Sequence, residues 1–594
     1  IAGNWPGTTM NLYDSDWYYY SFIGLEEINL IFNDGTNKTD DLSISGYGNH
    51  YYTADGWSTT NPKVVDPDDS IRINTRGYKY VYAWNGSDIL TDPWPGSLMT
   101  TGDWNTHLIK NAPSSINVIF HNSNGYQTDT ISMSGYGTHY YYCGTVTTSE
   151  PTITRRNNSD GLRILHCFDW SLENIVSNIA AIKEAGYDMV QTSPLQAPVG
   201  YSSSYTNEKD NWWKLYQPLS FSVSSNSWIG STYTLKKLCD VAANYDVQVM
   251  VDVVANHVAG TSTPSSVYVN EGLNNYESEL YSNSSSTIRG FYEPGDTVQG
   301  NVWGALGYSN SNTGVPDLNT SNSIVQARVL SYLKELIDDG VTGFRFDAAK
   351  HIETSSDYDT YKSNFWINTL GVAKTYAESL GKEIFSYGEI VGLANGRSYS
   401  YYINDGLSAS IDSSIPYDYR SSLSSSGQYV KSDYFTGLPA NQNVIYSENH
   451  DNYLGDETSS YDLTLLNKIY ALFAAREDAN ILYFPRTTGV MGNAVASSVW
   501  ADSVVTAANK FHDDMDNTTE YQGSESGLSY VARYGDGKYG IVVVNSTSSD
   551  QNIKIPDGLI NGEYTNIITG GKYTKTDNKI YVNANSIYIL EMGV

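Results

Sequence analysis

From about residue 161 onward, short unbroken runs of apolar residues alternate with stretches whose apolar positions recur at helical spacing. Unbroken runs mark strands buried on both faces, and helices between them join such strands in parallel, so the pattern predicts βα units around a parallel sheet. Strands are expected at 162–168, 188–192, 248–254, 343–348, 384–389, 409–412, 444–448 and 481–485, with helices between most of them, as at 172–185 and 321–339. That number of strands fits a closed (β/α)8 barrel over residues 155–522. Between the third and fourth strands, residues 258–319 are rich in Ser, Asn and Gly without helical periodicity, and are expected to form a subdomain inserted over one end of the barrel. After about residue 523 the period returns to two, which predicts a C-terminal antiparallel β-sandwich.

The N-terminal part reads differently. Ser45-Gly46-Tyr47-Gly48-Asn49-His50-Tyr51-Tyr52 recurs as Ser134-Gly135-Tyr136-Gly137-Thr138-His139-Tyr140-Tyr141, and Trp5-Pro6-Gly7 recurs as Trp94-Pro95-Gly96. Both copies are short alternating strands broken by Gly, Asn and Asp, so two tandem β-sandwich modules are expected, at 1–65 and 70–150. The second copy opens with a strand at 78–84 that the first lacks, so the first copy reads as incomplete. Tyr80 and Tyr82 share one face of that strand and Trp94 follows on a Pro/Gly loop. These rings either fill the module core or form an exposed platform, and periodicity does not decide between the two.

Composition narrows the partners. The chain has 594 residues with 35 Lys+Arg against 65 Asp+Glu, a formal net charge of −30, so nucleic acid and anionic membrane surfaces are repelled. Neutral polymers fit better, and 51 Tyr and 13 Trp agree, because flat rings stack on the apolar faces of sugars without needing charge. Cys143, Cys167 and Cys239 are odd in number and irregular in spacing, which matches neither a disulfide framework nor a zinc site. No apolar run approaches the roughly 20 residues of a membrane span, and Ile1-Ala2-Gly3 does not open a signal peptide. The Ser/Thr/Asn/Tyr-rich, lysine-poor surface suits a secreted or cell-surface-associated protein. Oligomeric state is not readable, and a monomer is the expectation.

In a (β/α)8 barrel the working groups project from the C-terminal strand ends. Four of the expected ends are unusually polar: Asp252-Val253-Val254-Ala255-Asn256-His257, Arg345-Phe346-Asp347-Ala348-Ala349-Lys350-His351, Gly388-Glu389, and Glu448-Asn449-His450-Asp451. Glycoside hydrolysis needs a carboxyl pair, one group protonating the departing oxygen while the other attacks or stabilises an oxocarbenium-like carbon. Asp347 and Glu389 suit it. Arg345, two residues before Asp347 on the same strand face, is expected to keep that aspartate ionised. Each residue alone also reads as a helix cap or a structural partner. That reading must then account for four such blocks in order at four strand ends.

These blocks resemble, in order and strand by strand, the motifs of the α-amylase family of retaining glycoside hydrolases, over roughly residues 160 to 594. The resemblance implies Asp347 as nucleophile, Glu389 as proton donor and Asp451 as transition-state stabiliser, with His257, Arg345, Lys350, His351 and His450 lining the sugar site. Asn211-Trp212-Trp213-Lys214-Leu215-Tyr216-Gln217-Pro218 is similar to the stretch after the second strand in secreted bacterial α-amylases, which implies sugar contacts for Tyr216 and Gln217. Val315-Pro316-Asp317-Leu318-Asn319 resembles the motif closing the inserted subdomain. It implies a structural Ca2+ held by Asn256, Asp317 and the main-chain carbonyl of His351, the alternative being a direct Asn256–Asp317 hydrogen bond. The N-terminal repeat resembles starch-binding carbohydrate-binding modules, which implies stacking of Tyr80, Tyr82 and Trp94 on α-glucan, with only Trp5 matching in the first copy. The implied partners are starch, amylose, amylopectin and malto-oligosaccharides. The implied chemistry is double displacement with retention, for which the two carboxyls should lie about 5 to 5.5 Å apart. Glycosyl transfer, α-1,6 cleavage and non-hydrolytic starch adhesion are the competing activities.

Overall fold

The computed structural model describes the chain except for residues 1–6, 13–17, 23–26, 47, 54–55, 60–68, 124, 154–156, 159, 260–279, 281–283, 292–315, 358–361, 394–396 and 593–594. Two compact units divide it, one within residues 1–150 and one holding residues 151–594 with two short pieces of the preceding stretch, 124–126 and 142–144.

In the larger unit, β1 (Arg163–Cys167), β2 (Met189–Thr192), β3 (Gln248–Val254), β4 (Gly343–Asp347), β5 (Phe385–Gly388), β6 (Ala409–Ile411), β7 (Asn443–Tyr446) and β8 (Asn480–Tyr483) close into a barrel in chain order. Every neighbouring pair is parallel, including β1 with β8. Each strand starts within one residue of its expected position, because strands buried on both faces leave an unmistakable apolar run. Most end one or two residues early, where the chain turns and presents polar side chains at the barrel mouth.

Inside the barrel, Ile164, Met189, Met250, Phe385, Tyr387, Val444, Tyr446 and Leu482 fill the lumen. Gly343 opens β4 where a Cβ would lie 3.0 Å from Met250 Cβ and 3.2 Å from Met189 Sδ, so its lack of a side chain makes room for the two methionines. Outside, helices bury their apolar stripes: Leu172–Glu184 presents Leu172, Ile175, Ile179 and Ile182 inward and starts where Ser171 Oγ accepts from Asn174 N–H. Helix Ser323–Asp338 is capped in the same way by Asn322.

Within 258–319 the described residues include a ladder between Ile288–Phe291 and Pro316–Leu318, and a single helical turn at Ser284–Thr287 that periodicity did not reveal. One turn is too short to show a period. C-terminal to the barrel, a six-stranded antiparallel sheet and the two-stranded ladder Gln551–Lys554/Lys579–Val582 pack around Leu528, Ile541, Val543, Ile555, Ile580 and Val582. Its first strand, Thr519–Glu525, begins before the expected 523 because that strand is polar and mostly half-exposed.

The smaller unit contains a sandwich of two sheets. One is built on Tyr80–Asn85 and Ser115–His121, the other on Ile71–Thr75, Asn105–Ile109 and Gly137–Tyr142. In the first copy the described strands form separate two-stranded ladders, Glu27–Leu30 with Leu42–Ser45 and Tyr51–Thr53 with Gly56–Ser58 among them.

Candidate active site

The mouth of the barrel is organised by one arginine. Arg345 projects from β4 and is buried, and its Nη1 lies 2.8 Å from both carboxylate oxygens of Asp252 and 2.9 Å from Asp347 Oδ1. Its Nη2 lies 3.1 Å from Glu389 Oε2. Glu389 Oε2 also accepts the Ala348 N–H at 2.8 Å. Ala348 presents that N–H from the left-handed region, with φ at 49°, which an L-residue other than Gly, Asn or Asp seldom adopts. Asp451 follows β7 on the short helix His450–Leu454, capped by Asn449 Oδ1 on Asn452 N–H, and its carboxyl group reaches a hydrogen-bonding position with Glu389. The three implied carboxyls thus gather at one mouth with graded exposure: 13% for the side chain of Asp347, 20% for Glu389 and 46% for Asp451.

The electrostatics differ from the sequence expectation. Arg345 does pull Asp347 toward ionisation, but burial outweighs it, with Glu389, Asp252 and Asp451 adding repulsion, and the Asp347 carboxyl ends well above the ordinary carboxylate range. Asp252 is pushed up to about 6 by burial, against the pull of Arg345. One guanidinium divided among several carboxylates cannot neutralise them all, and the remaining repulsion adds to burial in holding Asp347 up.

Rings wall the mouth. Tyr216 Oη donates to Asp252 Oδ2 at 3.0 Å, and its ring stacks on His450 at 5.8 Å. Phe168 also stacks on His450 at 4.6 Å, and His166 meets it edge-on at 5.2 Å. His257 Nε2 lies 2.9 Å from the Tyr216 carbonyl and donates to it. Burial holds His257 down to about 4 and His450 to about 3, so both work as neutral imidazoles near neutral pH. Gln217 Oε1 is buried with no hydrogen-bond partner.

Residues 216–453 match the family model of the α-amylase catalytic domain, and residues 1–44 and 74–132 match starch-binding module 26. The barrel carries the match to the α-amylase catalytic domain. The chain is similar to an α-amylase of Clostridium acetobutylicum, 33% identical over 458 residues that cover 74% of this chain and 55% of that protein. A Butyrivibrio fibrisolvens α-amylase is 29% identical over 485 residues, 74% of this chain and 46% of the relative. The chain therefore spans about half the length of these relatives. Among solved structures, a Geobacillus thermoleovorans α-amylase complexed with acarbose shares the fold at a TM-score of 0.54 and 15% identity, covering 74% of this chain and 99% of that one.

Other expected residues of the amylase domain fall around this mouth. Lys350 donates through Nζ to the Val391 carbonyl at 2.9 Å, while its own carbonyl accepts from Arg397 and Tyr402. His351 is buried beside it, held down to about 3 chiefly by burial, with Nδ1 unpartnered. Asn256 and Asp317 are buried and adjacent: the Asn256 carbonyl accepts Leu318 N–H at 2.9 Å and His257 bridges to Asp317. Among the described residues the Asn256 amide nitrogen has no hydrogen-bond partner, so it does not bond directly to Asp317. Rotating that amide would set a carbonyl oxygen there, and with the Asp317 carboxylate this is the oxygen-donor chemistry a hard cation takes.

In the starch-binding module the alternation along Tyr80–Asn85 is decided: Val81 and Ala83 are buried, whereas Tyr80 and Tyr82 lie on the other, half-exposed face. Trp94 is 54% exposed and meets Tyr82 at 5.6 Å. Gly96, at φ 90°, lets its loop close on the strand where a Cβ would strike the Val81 carbonyl. Trp5 of the first copy lies outside the described residues.

Sequence reasoning missed several groups. Asp252 was visible only as a lone acid in the apolar strand Gln248–Val254, and that is its signal, since a buried carboxylate there demands a cation. His166 on β1 and Phe168 just after it carry no such sign. His121 was invisible, yet its ring lies between Tyr80 at 5.2 Å and Trp94 at 4.7 Å. Its Nε2 donates to the Pro95 carbonyl at 2.5 Å, and its Nδ1 accepts Ser123 N–H at 3.0 Å.

Proposed function

We propose that the chain hydrolyses internal α-1,4-glucosidic bonds of starch and related glucans with retention of configuration, and that its starch-binding module holds the polymer. The sharing of Arg345 by Asp347 and Glu389 carries this reading, because it brings both carboxyls to one guanidinium at the barrel mouth, where one can attack while the other protonates. The step requires Asp347 in its ionised form, which Arg345 favours against burial: Glu389 gives its proton to the glycosidic oxygen while an Asp347 carboxylate oxygen attacks C1, breaking the C1–O bond and forming a β-glucosyl ester. Glu389, now a carboxylate, takes a proton from water as that water attacks C1 and releases Asp347. Asp451, the most open of the three, faces the positive charge that develops on the ring. His257, His450, Tyr216 and Gln217 bind hydroxyls as neutral partners, and Tyr216 also fixes Asp252 behind Arg345.

Asn256, Asp317 and the main-chain carbonyl of His351 would hold Ca2+, whose contribution is to tie the inserted segment to β3 and β4. Tyr80, Tyr82 and Trp94 stack on glucosyl rings. An extracellular setting follows from a polymeric substrate that does not enter cells.

Timed chromatography of the products from amylose, with and without chelator, tests the reading. A ladder of α-configured oligosaccharides supports it. Initial release of β anomers, or wild-type protein that binds granules without cutting, sinks it. For the module, Trp94→Ala should weaken granule binding by roughly tenfold while hydrolysis of a short soluble substrate is unchanged. Equal granule binding by wild type and variant would remove Trp94 from the platform.

A further inference from the structure

A cavity of about 460 Å³ lies at the opposite end of the barrel from the catalytic mouth, where the chain enters β7 and β8 and meets the first strand of the C-terminal sandwich. Ser432, Asp433, Tyr434 and 437–440 line one side, Arg476, Glu477 and Asp478 another, and Glu520 a third.

Two arginines at this junction are used very differently. Arg533 spends its guanidinium on structure, donating to Thr518 Oγ1 and to the carbonyls of Ala475, Met515 and Thr518. Arg476 is as deeply buried, at 2% exposure, yet only its Nη2 donates, to the Ser432 carbonyl at 2.5 Å. Its Nε stays 3.9 Å from Glu520 Oε1, and neither Nε nor Nη1 has a hydrogen-bond partner. The Tyr434 hydroxyl, whose ring lies under the guanidinium at 4.2 Å, is also buried without one. Orphaned buried donors are costly in a folded protein, and here they belong to side chains that line a cavity.

We propose that this cavity is a second, non-catalytic sugar site that takes one or two hexose rings. The donors require acceptor oxygens, whereas the carboxylates of Asp433, Glu477 and Glu520 accept hydrogen bonds and repel an anion, Glu520 already taking the Glu477 N–H and Gln522 Nε2. A hydroxyl does both, and a pyranose carries several at fixed spacing, with an apolar face for Leu438 and Pro439. The volume lies within the range of small-molecule sites and is too small for a long glucan. The site's occupant is either free maltose or the end of a glucan chain, which share this chemistry. Its existence does not depend on the activity proposed above.

Full-length protein is titrated calorimetrically with maltose and, separately, with maltoheptaose, alongside Ala440→Phe, which fills the cavity wall from a half-buried position, and Glu520→Gln, which keeps the shape and removes a charge. Wild type should bind one more maltose per chain than Ala440→Phe, and Glu520→Gln should bind at that site about tenfold more weakly. Both variants should retain wild-type turnover of a short soluble substrate. Maltoheptaose titrating the same site would identify a chain end as the occupant, and maltose alone the free sugar. Equal stoichiometry in wild type and a folded Ala440→Phe overturns the proposal, as does displacement of maltose from this site by inorganic phosphate. Failure of amylose hydrolysis would sink the proposed activity and leave this stoichiometry to be read on its own.

Discussion

Arg345 and Arg163 are both buried on barrel strands and both face carboxylates, but they solve opposite problems. Arg163, at the start of β1, meets Asp188 two-pronged, through Nε at 2.7 Å and Nη2 at 2.6 Å, and spends Nη1 on the Asn509 carbonyl and on Asp513. One buried carboxylate, Asp188, pairs with it, the second, Asp513, is open to solvent, and every guanidinium nitrogen is occupied. Arg345 instead faces Asp252, Asp347 and Glu389 together. The first arrangement fixes backbone; the second leaves negative charge over, which helps hold Asp347 above the ordinary carboxylate range. A paired buried charge is scaffold, and an outnumbered one is a candidate for chemistry.

Asp347→Asn is the severest test of the outnumbered arginine. Activity should fall by roughly 10⁴-fold or more with no loss of thermal stability, since the substitution removes repulsion. A variant that melts early would put Asp347 with the scaffold groups. Arg163→Met should do the reverse, costing about 3–5 kcal/mol of stability by stranding Asp188, while the folded fraction turns over normally in a cool assay. Loss of turnover in protein shown to be folded would erase the distinction between the two arginines.

Asp252→Asn should lower kcat by roughly 10²-fold, because Arg345 loses the anchor that aims it. It also removes a negative neighbour from Asp347 and Glu389. The Asp347 proton then leaves more easily, so the pH–activity profile should move to lower pH; a shift the other way would show that Asp252 does not repel Asp347. The mildest change is Ala348→Gly, which relieves the left-handed backbone at a cost in unfolded-chain entropy, for a net gain of about 1 kcal/mol at most. Denaturant midpoints and kcat measured together would place it.

The barrel was legible because parallel strands are buried on both faces, so β1 to β8 stand out as apolar runs whatever lies between them. The polar strand ends were legible for the same reason: Asp347 and Glu389 interrupt apolar texture at places where the fold opens. Interactions across strands were not. The sequence pairs Arg345 with Asp347, two residues away, and hides Asp252, 93 residues earlier. Burial then outweighed the pull of that arginine on Asp347, a balance that depends on depth and not on order along the chain. Thr519–Glu525 escaped because a polar, half-exposed strand has no apolar signature. His121 was missed because its neighbours Tyr80 and Trp94 come from elsewhere in the module.

The strained Ala348 sets a direction for anyone selecting heat-resistant variants. Its N–H reaches Glu389 because the backbone there is bent into an unfavourable conformation. A library screened only for melting temperature would favour substitutions that let this turn relax, and the first property released with the strain would be the aim of Glu389. Selection at this position should therefore be run on turnover at high temperature, so that heat resistance and catalysis are chosen together.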